Sequence, residues 1–286
     1  MNRSPIAPAT PSSWMALPSW TGYALAQFRL SWKVFWRNRR STFIGFLLPV
    51  LLTLAVAAPL RGREIAGVPA AGYVALGFVG FALVTVFINL LNGLVARRDD
   101  LVLKRLRGTE VPPDAVLAGQ FGAAGAVLLV QTVLLGALAV GWFGAPLPAD
   151  PLLLLVFLAA GFALFALLAA ALSGLTPSAE AAPLVATPVL LLSMFAGGVA
   201  TPLGSLPGWL QAPAHALPLT PVVEGLRTAW FGRAFGTETW SGPPLPELGL
   251  FGGWPHTVGS LALLAAWTAG AAMLTRRLFR WEPRHG

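Results

Sequence analysis

Long apolar runs separated by short polar segments dominate the chain. The runs cover residues 42–60, 70–95, 115–142, 152–175, 182–200 and 257–275. Each has about the length that a helix needs to cross roughly 30 Å of hydrocarbon. Because backbone polar groups inside a bilayer must bond to one another, runs this continuous predict helices rather than alternating barrel strands. The pattern therefore predicts an all-α, polytopic membrane protein with six transmembrane helices.

The overall composition supports the same class. Hydrophobic residues make up 56% of the 286 positions and charged residues only 10%, with a mean hydropathy of +0.72. A soluble domain carries far more charge than this. The chain has no cysteine, which excludes disulfides and thiolate metal sites.

Lys and Arg cluster on one side of the predicted spans. Fifteen of the nineteen precede the first run, lie in the loop after the second, or follow the sixth. Because basic residues near span ends stay in the cytoplasm, both termini and the loop at 97–112 are predicted to be cytoplasmic. The loop at 175–181 falls on the same side although it contains no basic residue. The sequence pI of about 11.4 thus reflects membrane topology, and no nucleic-acid partner is predicted.

An amphipathic segment at residues 20–41 precedes the first span. At 100° per residue, its aromatic and apolar side chains share one helical face, with a stripe of cations beside them. This pattern is typical of a helix lying in the headgroup plane and contacting anionic lipid. The alternative is that these residues are only the basic, aromatic flank of the first span. The apolar face comprises Leu25, Phe28, Trp32, Phe35 and Trp36, and the stripe comprises Arg29, Lys33, Arg37 and Arg40.

The remaining segments complete the predicted organisation. Residues 1–19, rich in Pro, Ser and Ala, are predicted to be a mobile cytoplasmic tail, and residues 281–286 form a second tail. Residues 42–280 form the transmembrane domain, which includes an outer segment at 201–254.

The apolar runs contain no Asp, Glu, Lys, Arg or His. Proton relays and acid/base chemistry inside a membrane require an ionisable group, so the spans are not predicted to supply either. The side-chain amides within them have two interpretations. They either line a substrate path or form hydrogen bonds between helices, of which the second is the more common use. These amides are Asn89, Asn92, Gln120 and Gln131.

Soluble catalytic signatures are also missing from the sequence. The two lysines, Lys33 and Lys104, do not stand in the Gly-Lys-Ser/Thr context of a nucleotide-binding P-loop. The three histidines are isolated from one another, at His215, His256 and His285. We therefore predict no catalytic residue, no metal site and no cofactor bound by this chain.

The charged segment at 97–112 differs from the other loops because it alternates acids, bases and leucines. In a helical conformation, Asp100 precedes Lys104 by four positions, the favourable order for an ion pair. Leu103 and Leu106 would then form an apolar ridge, and the prolines at 112 and 113 would end the helix. A positively charged topology anchor needs only a few cations. The alternation therefore indicates a docking surface for a cytoplasmic protein, with the topology anchor as the alternative.

The stretch from Arg98 to Glu110, RDDLVLKRLRGTE, resembles a loop of the ABC-2 type permeases, the membrane subunits of ATP-binding-cassette exporters. Their loop between the second and third spans usually reads Arg-Glu-x-Gly-Thr-Leu-Glu-Arg-Leu-Arg-x-Thr-Pro. The matching positions are Arg98, Leu103, Arg105, Leu106, Arg107 and Thr109. The departures are Asp99 for the first Glu, Leu101 for Gly, Lys104 for the second Glu, and Glu110 for Pro.

A second stretch, at residues 197–232, is similar to the outer segment of the same family. A Gly-rich span end leads through a Leu-Pro-x-Trp-Leu sequence to a Pro-Leu-Thr turn and a short helix that includes Leu-Arg. The resemblance implies outer half-helices near residues 202–217 and 221–231, between spans five and six. Together the matches extend from about residue 23 to about residue 280.

The resemblance implies a mechanism in which a separate cytoplasmic ATPase subunit binds ATP and drives the permease. That subunit would dock on a coupling helix at 97–112 and on the interfacial helix. A second permease, either a copy or a paralogue, would complete the pathway in a bacterial cell membrane. The residues implied in coupling are Arg98, Asp99, Asp100, Leu103, Lys104, Arg105, Leu106, Arg107, Thr109 and Glu110.

The resemblance is greatest to exporters of drugs, a group that includes antibiotic-resistance pumps. An apolar path with amides and hydroxyls suits an amphipathic or hydrophobic substrate, such as a drug-like molecule, a lipid or a glycan. Two other functions remain as alternatives from the sequence. One is a membrane anchor that recruits a cytoplasmic partner without transport, and the other is a membrane-embedded enzyme.

Overall fold

The computed structural model describes residues 19–99, 112–249 and 251–279, which are mostly helical. The predicted tails, except for Ser19, lie outside these ranges, as do eight of the ten predicted coupling residues. Those eight are Asp100, Leu103, Lys104, Arg105, Leu106, Arg107, Thr109 and Glu110.

The described helices follow the apolar runs of the sequence. They are α1 (Trp20–Arg37), α2 (Arg39–Thr42), a π-helical segment (Phe43–Leu47), α3 (Leu48–Ala57), a 3-10 turn (Ala58–Leu60), α4 (Ala70–Asp99), α5 (Pro113–Gly141), α6 (Pro151–Leu175), α7 (Ala182–Ala196), a 3-10 turn (Leu203–Ser205), α8 (Gly208–His215), α9 (Thr220–Phe231), α10 (Gly253–His256) and α11 (Val258–Leu278). A small hairpin, β1 (Glu64–Ile65) and β2 (Val68–Pro69), joins the first apolar segment to α4.

Four of these helices, α4, α5, α6 and α11, are long and apolar enough to cross a membrane. Two shorter apolar segments, Gly45–Leu60 and Ala182–Ala196, occupy the positions of the first and fifth predicted spans. A straight helix of 15 residues, the length of α7, covers about 22 Å, which is less than the hydrocarbon core. The chain is therefore a membrane protein with four full-length candidate spans and two shorter ones in its described residues.

The first apolar run is a broken helix, whereas the sequence predicted a single span. α1 ends at Arg37, and α2 passes into the π-helical segment before α3 begins. Gly45, inside that segment, approaches α4 so closely that a Cβ atom there would collide with the amide of Asn89. Thr85 of α4 donates a hydrogen bond to the Gly45 carbonyl at 3.3 Å. The irregular turn thus lies where this segment contacts α4.

Helix α4 forms the centre of the molecule. It is buried at nearly every position between Ala70 and Val95 and contacts α3, α5, α6, α7 and α9. Glycines allow this close packing, since a Cβ at Gly77 would overlap the carbonyl oxygen of Val199. At Gly161 of α6, a Cβ would press on Leu83. A helix surrounded on all sides explains why its sequence is apolar all round instead of amphipathic.

The outer helices expose apolar surface on the sides that face away from α4. Helix α11 packs on α6 and α9 and is otherwise open. A soluble protein rarely leaves so much contiguous apolar surface open, so these residues form a surface suited to lipid. They include Leu129 and Val133 of α5, Leu152 and Leu155 of α6, Leu184, Leu192 and Phe195 of α7, and Met273 and Leu274 of α11.

Helix α1 packs lengthwise against α5. Trp20 Nε1 donates to Asp114 Oδ2 at 2.9 Å, and a Cβ at Gly119 would overlap the backbone of Ala24. Of the predicted apolar face, Phe28, Trp32 and Phe35 are partly buried, whereas Leu25 and Trp36 are exposed. Of the cation stripe, Arg29, Lys33 and Arg37 are exposed.

Candidate functional site

Charged and hydrogen-bonding side chains are grouped at the two ends of the helix bundle. We call the end that holds Arg97, Arg98, Arg276 and Arg277 the basic end, and the end that holds Tyr73, Arg227 and Glu238 the far end. Helices α4, α6 and α11 run from the far end to the basic end, and α5 runs in the opposite direction.

Arg98, at the basic end, is one of the two largest fully buried side chains, with only 2% of its surface exposed. Its Nη1 donates to the Ser173 carbonyl at 2.8 Å, and its Nη2 donates to the Thr176 carbonyl at 2.7 Å. These carbonyls belong to the last turn of α6 and the residue after it, where backbone acceptors have no partner within the helix. A guanidinium at this point satisfies these acceptors and complements the negative end of the helix dipole.

Asp99 also contacts the loop that follows α6. Its Oδ2 accepts a hydrogen bond from the Ala179 amide at 2.7 Å. Arg98 and Asp99 together hold the loop between α6 and α7, which is the predicted cytoplasmic loop that lacks a basic residue of its own. The sequence predicted that both side chains belong to a docking surface. Spacing along the chain does not show which of them faces the interior of the protein. In the structure Arg98 connects the end of α4 to the α6–α7 loop, and its role in coupling stays a prediction.

Two cavities flank α4 close to the basic end. The first, of about 390 Å³, lies between α1, α4 and α5. The second, of about 360 Å³, lies between α4 and α7. Both are lined by Asn38, Asn89, Asn92 and Ala96. The asparagines of α4 therefore lie between two spaces that open near the same end of the molecule.

The predicted amides divide between the two roles left open by the sequence. Asn92 lines both cavities, and Asn89 does so while donating to the Thr85 carbonyl at 2.9 Å. Gln120 lines the first cavity, and its Oε1 is buried without a hydrogen-bond partner among the described residues. Gln131 lines neither cavity and donates to the Phe46 carbonyl at 3.2 Å, a bond between α5 and the π-helical segment. The cavity role thus suits Asn89, Asn92 and Gln120, and the interhelical role suits Gln131.

The far end contains a buried ionic network that the sequence reasoning missed. Arg227 of α9, with 1% of its surface exposed, donates to the Tyr73 carbonyl at 3.1 Å and to the Val199 carbonyl at 2.8 Å. Its guanidinium carbon lies 3.4 Å from the centroid of the Tyr73 ring. Glu238 accepts from the Tyr73 hydroxyl at 2.7 Å and lies 3.9 Å from Arg227. The network joins α4, α9 and the loop before α10, and its only sequence signal was the Leu-Arg pair in the second family-like stretch.

A second, more exposed pair links the two short helices of the far end. His215 Nδ1, at the end of α8, lies 3.1 Å from Glu224 Oε1 of α9. This contact with the Glu224 carboxylate raises the pKa of His215 above its usual value near 6.5. Protonation of His215 therefore strengthens the connection between α8 and α9.

The described residues contain no group of three His, Cys, Asp or Glu side chains able to hold a metal ion. His215 and His256 have different partners, because His215 lies beside Glu224 and His256 Nε2 bonds to the Phe235 carbonyl at 2.9 Å. The polar groups at both ends instead bind backbone carbonyls and one another, an arrangement that fixes helices.

The profile of the ABC-2 type transporter family matches residues 25–231, which is most of the chain. The matched region extends from α1 through α9 and includes Arg98, Arg227 and the residues that line both cavities. No curated protein matches the chain.

Proposed function

Because the chain belongs to the ABC-2 type transporter family, we propose that it is the membrane-spanning permease subunit of an ABC exporter. The observation that carries this proposal is the family match, which covers the residues that line both cavities and both buried arginines, Arg98 and Arg227. On this proposal the chain is a transport subunit and not an enzyme.

The energy for transport comes from a separate ATPase subunit, which binds the ATP. This subunit docks on the segment at 97–112 and on α1, whose cations Arg29, Lys33 and Arg37 are exposed. ATP-driven closure of paired ATPases moves this surface. The fixed contacts of Arg98 and Asp99 with the α6–α7 loop support a rigid transfer of that movement to α6 and α7.

The basic end faces the cytoplasm of a bacterial cell, and both termini lie there. The distribution of Lys and Arg supports this orientation. Six segments cross the membrane, with α3 and α7 as the two short crossings, and α8 and α9 form half-helices at the outer surface. A short crossing is tolerated where neighbouring protein covers the remaining depth.

The substrate path lies between two permease subunits, so the assembly contains at least a dimer. The second cavity, beside α7 and the asparagines of α4, supports a path on this side of the bundle. Its mixture of apolar side chains and amides suits an amphipathic or hydrophobic substrate, such as a drug, a lipid or a glycan carried on lipid. Membrane lipid contacts the apolar outer surface.

Transport into inside-out vesicles tests the proposal. We expect uptake of fluorescent amphipathic cations and anions to require both the ATPase subunit and hydrolysable ATP. Vesicles with an ATPase subunit whose Walker lysine is replaced serve as the control. A chain that binds the ATPase but gives no ATP-dependent movement of any amphiphile would instead be a membrane anchor.

A further inference from the structure

The first cavity has the depth of one lipid leaflet. Along α4, its lining extends from Arg97 at the basic end to Val86. Eleven residues of helix rise about 16 Å, which is roughly half of a 30 Å hydrocarbon core. A ligand in this cavity would therefore lie alongside the lipid chains of the leaflet at the basic end.

Among the described residues, the charge that lines this cavity is entirely positive. Arg97 is the only ionisable side chain that these residues place in the lining. Its Nη2 donates to Ser31 Oγ at 2.9 Å, but within the described ranges no carboxylate lies within 4 Å of it. By contrast, Arg98, Arg227 and Arg233 each have a carboxylate partner. A guanidinium has five N–H donors, so Arg97 retains donors for an anionic group.

One amide in the wall lacks a partner. Gln120 is only 6% exposed, and its Oε1 is buried with no hydrogen-bond partner among the described residues. Its Nε2 faces Gly93, one helical turn deeper than Arg97. Buried polar atoms are almost always satisfied, so an unsatisfied acceptor in a cavity wall indicates a ligand or water that donates. A hydroxyl about 6 Å from the anionic group would fit this position.

The deeper part of the cavity is apolar. Beyond the amides it is lined by Val86, Leu90, Ala123, Ala124 and Val127. A volume of about 390 Å³ is at the small end of the range for ligand pockets, which favours one hydrocarbon chain over two.

We propose that this cavity binds a single-chain anionic amphiphile that carries a hydroxyl next to its acidic group. The acidic group binds Arg97, the hydroxyl donates to Gln120 Oε1, and the chain lies along Leu90 and Val127 towards Val86. The site does not depend on the proposed function, because its ligand binds whether or not an ATPase is present.

Lipid binding to the purified chain tests the site. The chain in neutral detergent is titrated with lysophosphatidylglycerol and with lysophosphatidylcholine of the same acyl length, and complexes are counted by native mass spectrometry. Both lipids carry the glycerol hydroxyl next to the acyl chain, and only the first has a net negative charge for Arg97, so we expect it to bind about tenfold more tightly. Equal affinity for the two lipids would overturn the proposal.

Substitutions locate the binding site. Arg97→Gln should abolish the preference for the anionic lipid, whereas Arg97→Lys should keep most of it because the charge remains. Val127→Trp should weaken binding of both lipids by filling the chain end of the cavity. Arg277→Gln, at the same end but in α11 and outside the cavity lining, is the matched control and should leave both affinities unchanged. If Arg97→Gln and Arg277→Gln have the same effect, the charge recognised is not in this cavity.

A further arm identifies the source of the amphiphile. The loaded chain is assembled with its ATPase in nanodiscs, and bound lysophosphatidylglycerol is measured before and after addition of ATP. If the bound lipid is lost on ATP hydrolysis, the site binds a transported substrate. If the bound lipid is retained, the site binds a resident membrane lipid. Since the titration above uses no ATPase, its result is separate from the success or failure of the transport proposal.

Discussion

Two buried arginines have the clearest roles at the scale of single residues. Arg98 joins the end of α4 to the end of α6, and Arg227 joins the start of α4 to α9 and to the chain beyond α7. Each uses several N–H groups on backbone carbonyls, a geometry that the planar guanidinium fits and that an ammonium does not. The sequence showed that these cations lie at opposite ends of the spans. It did not show that they face inward, because burial depends on the helices that pack around them.

Loss of the Arg98 guanidinium should destabilise the protein. Arg98→Met leaves the carbonyls of Ser173 and Thr176 without a donor, at an expected cost of about 3 kcal/mol in the free energy of unfolding. Thermal unfolding in detergent measures the change, and Arg98→Lys should lose less. Arg276→Met, in the last turn of α11, is the control. Equal stability of Arg98→Met and wild type would show that the two bonds contribute nothing.

The pair of His215 and Glu224 predicts a pH dependence at the far end. Because the folded-state pKa of His215 is raised, the stabilisation is fully present below the unfolded pKa of about 6.5. It is lost as the pH rises through the higher folded-state pKa. We expect a fall in the melting temperature across this window in wild type, and a smaller fall in His215→Gln. Identical profiles for the two proteins would contradict the role of this pair.

The elements of the fold were predicted unevenly from the sequence. The four long helices coincide with long apolar runs, because hydrophobic length alone determines them. The broken first segment was not predicted, since its π-helical turn depends on contact of Gly45 with α4. The fifth run was predicted to reach residue 200, but α7 ends at Ala196, where Gly197 and Gly198 follow and Gly198 has a φ of 71°. The hairpin at residues 64–69 also had no clear signal, because its strands are two residues long.

The close approach of α4 to the end of α7 is testable at Gly77. Gly77→Ala would place a Cβ against the Val199 carbonyl oxygen and the Arg227 guanidinium, so backbone must move. We expect a loss of about 1–3 kcal/mol in the free energy of unfolding from this overpacking. Gly270→Ala in α11, where a Cβ meets nothing within 4 Å, is the matched control and should be neutral or stabilising. A neutral Gly77→Ala would mean that the two segments do not touch as described.

At the scale of the whole molecule, the central α4 contacts the elements of both ends. Its first turns hold the Tyr73–Arg227–Glu238 network, its middle packs on the π-helical turn, and its last residues hold the α6–α7 loop. A displacement applied after Asp99 therefore acts on a helix that is buried along nearly all of its length. This arrangement suits the transmission of force from a cytoplasmic partner to the cavities and the far end, and it makes the segment at 97–112 the decisive surface of the proposal.

The most direct test of this account is co-purification with an ABC ATPase co-expressed with the chain. The ATPase carries the affinity tag, and wild type is compared with the double variant Leu103→Asp, Arg107→Glu. The control variant Leu147→Asp, Arg61→Glu makes the same chemical changes at exposed positions of the far end. We predict that wild type and the control are retained and that the first variant is lost. Failure of wild type to bind, or equal retention of both variants, would contradict a coupling role for the 97–112 segment.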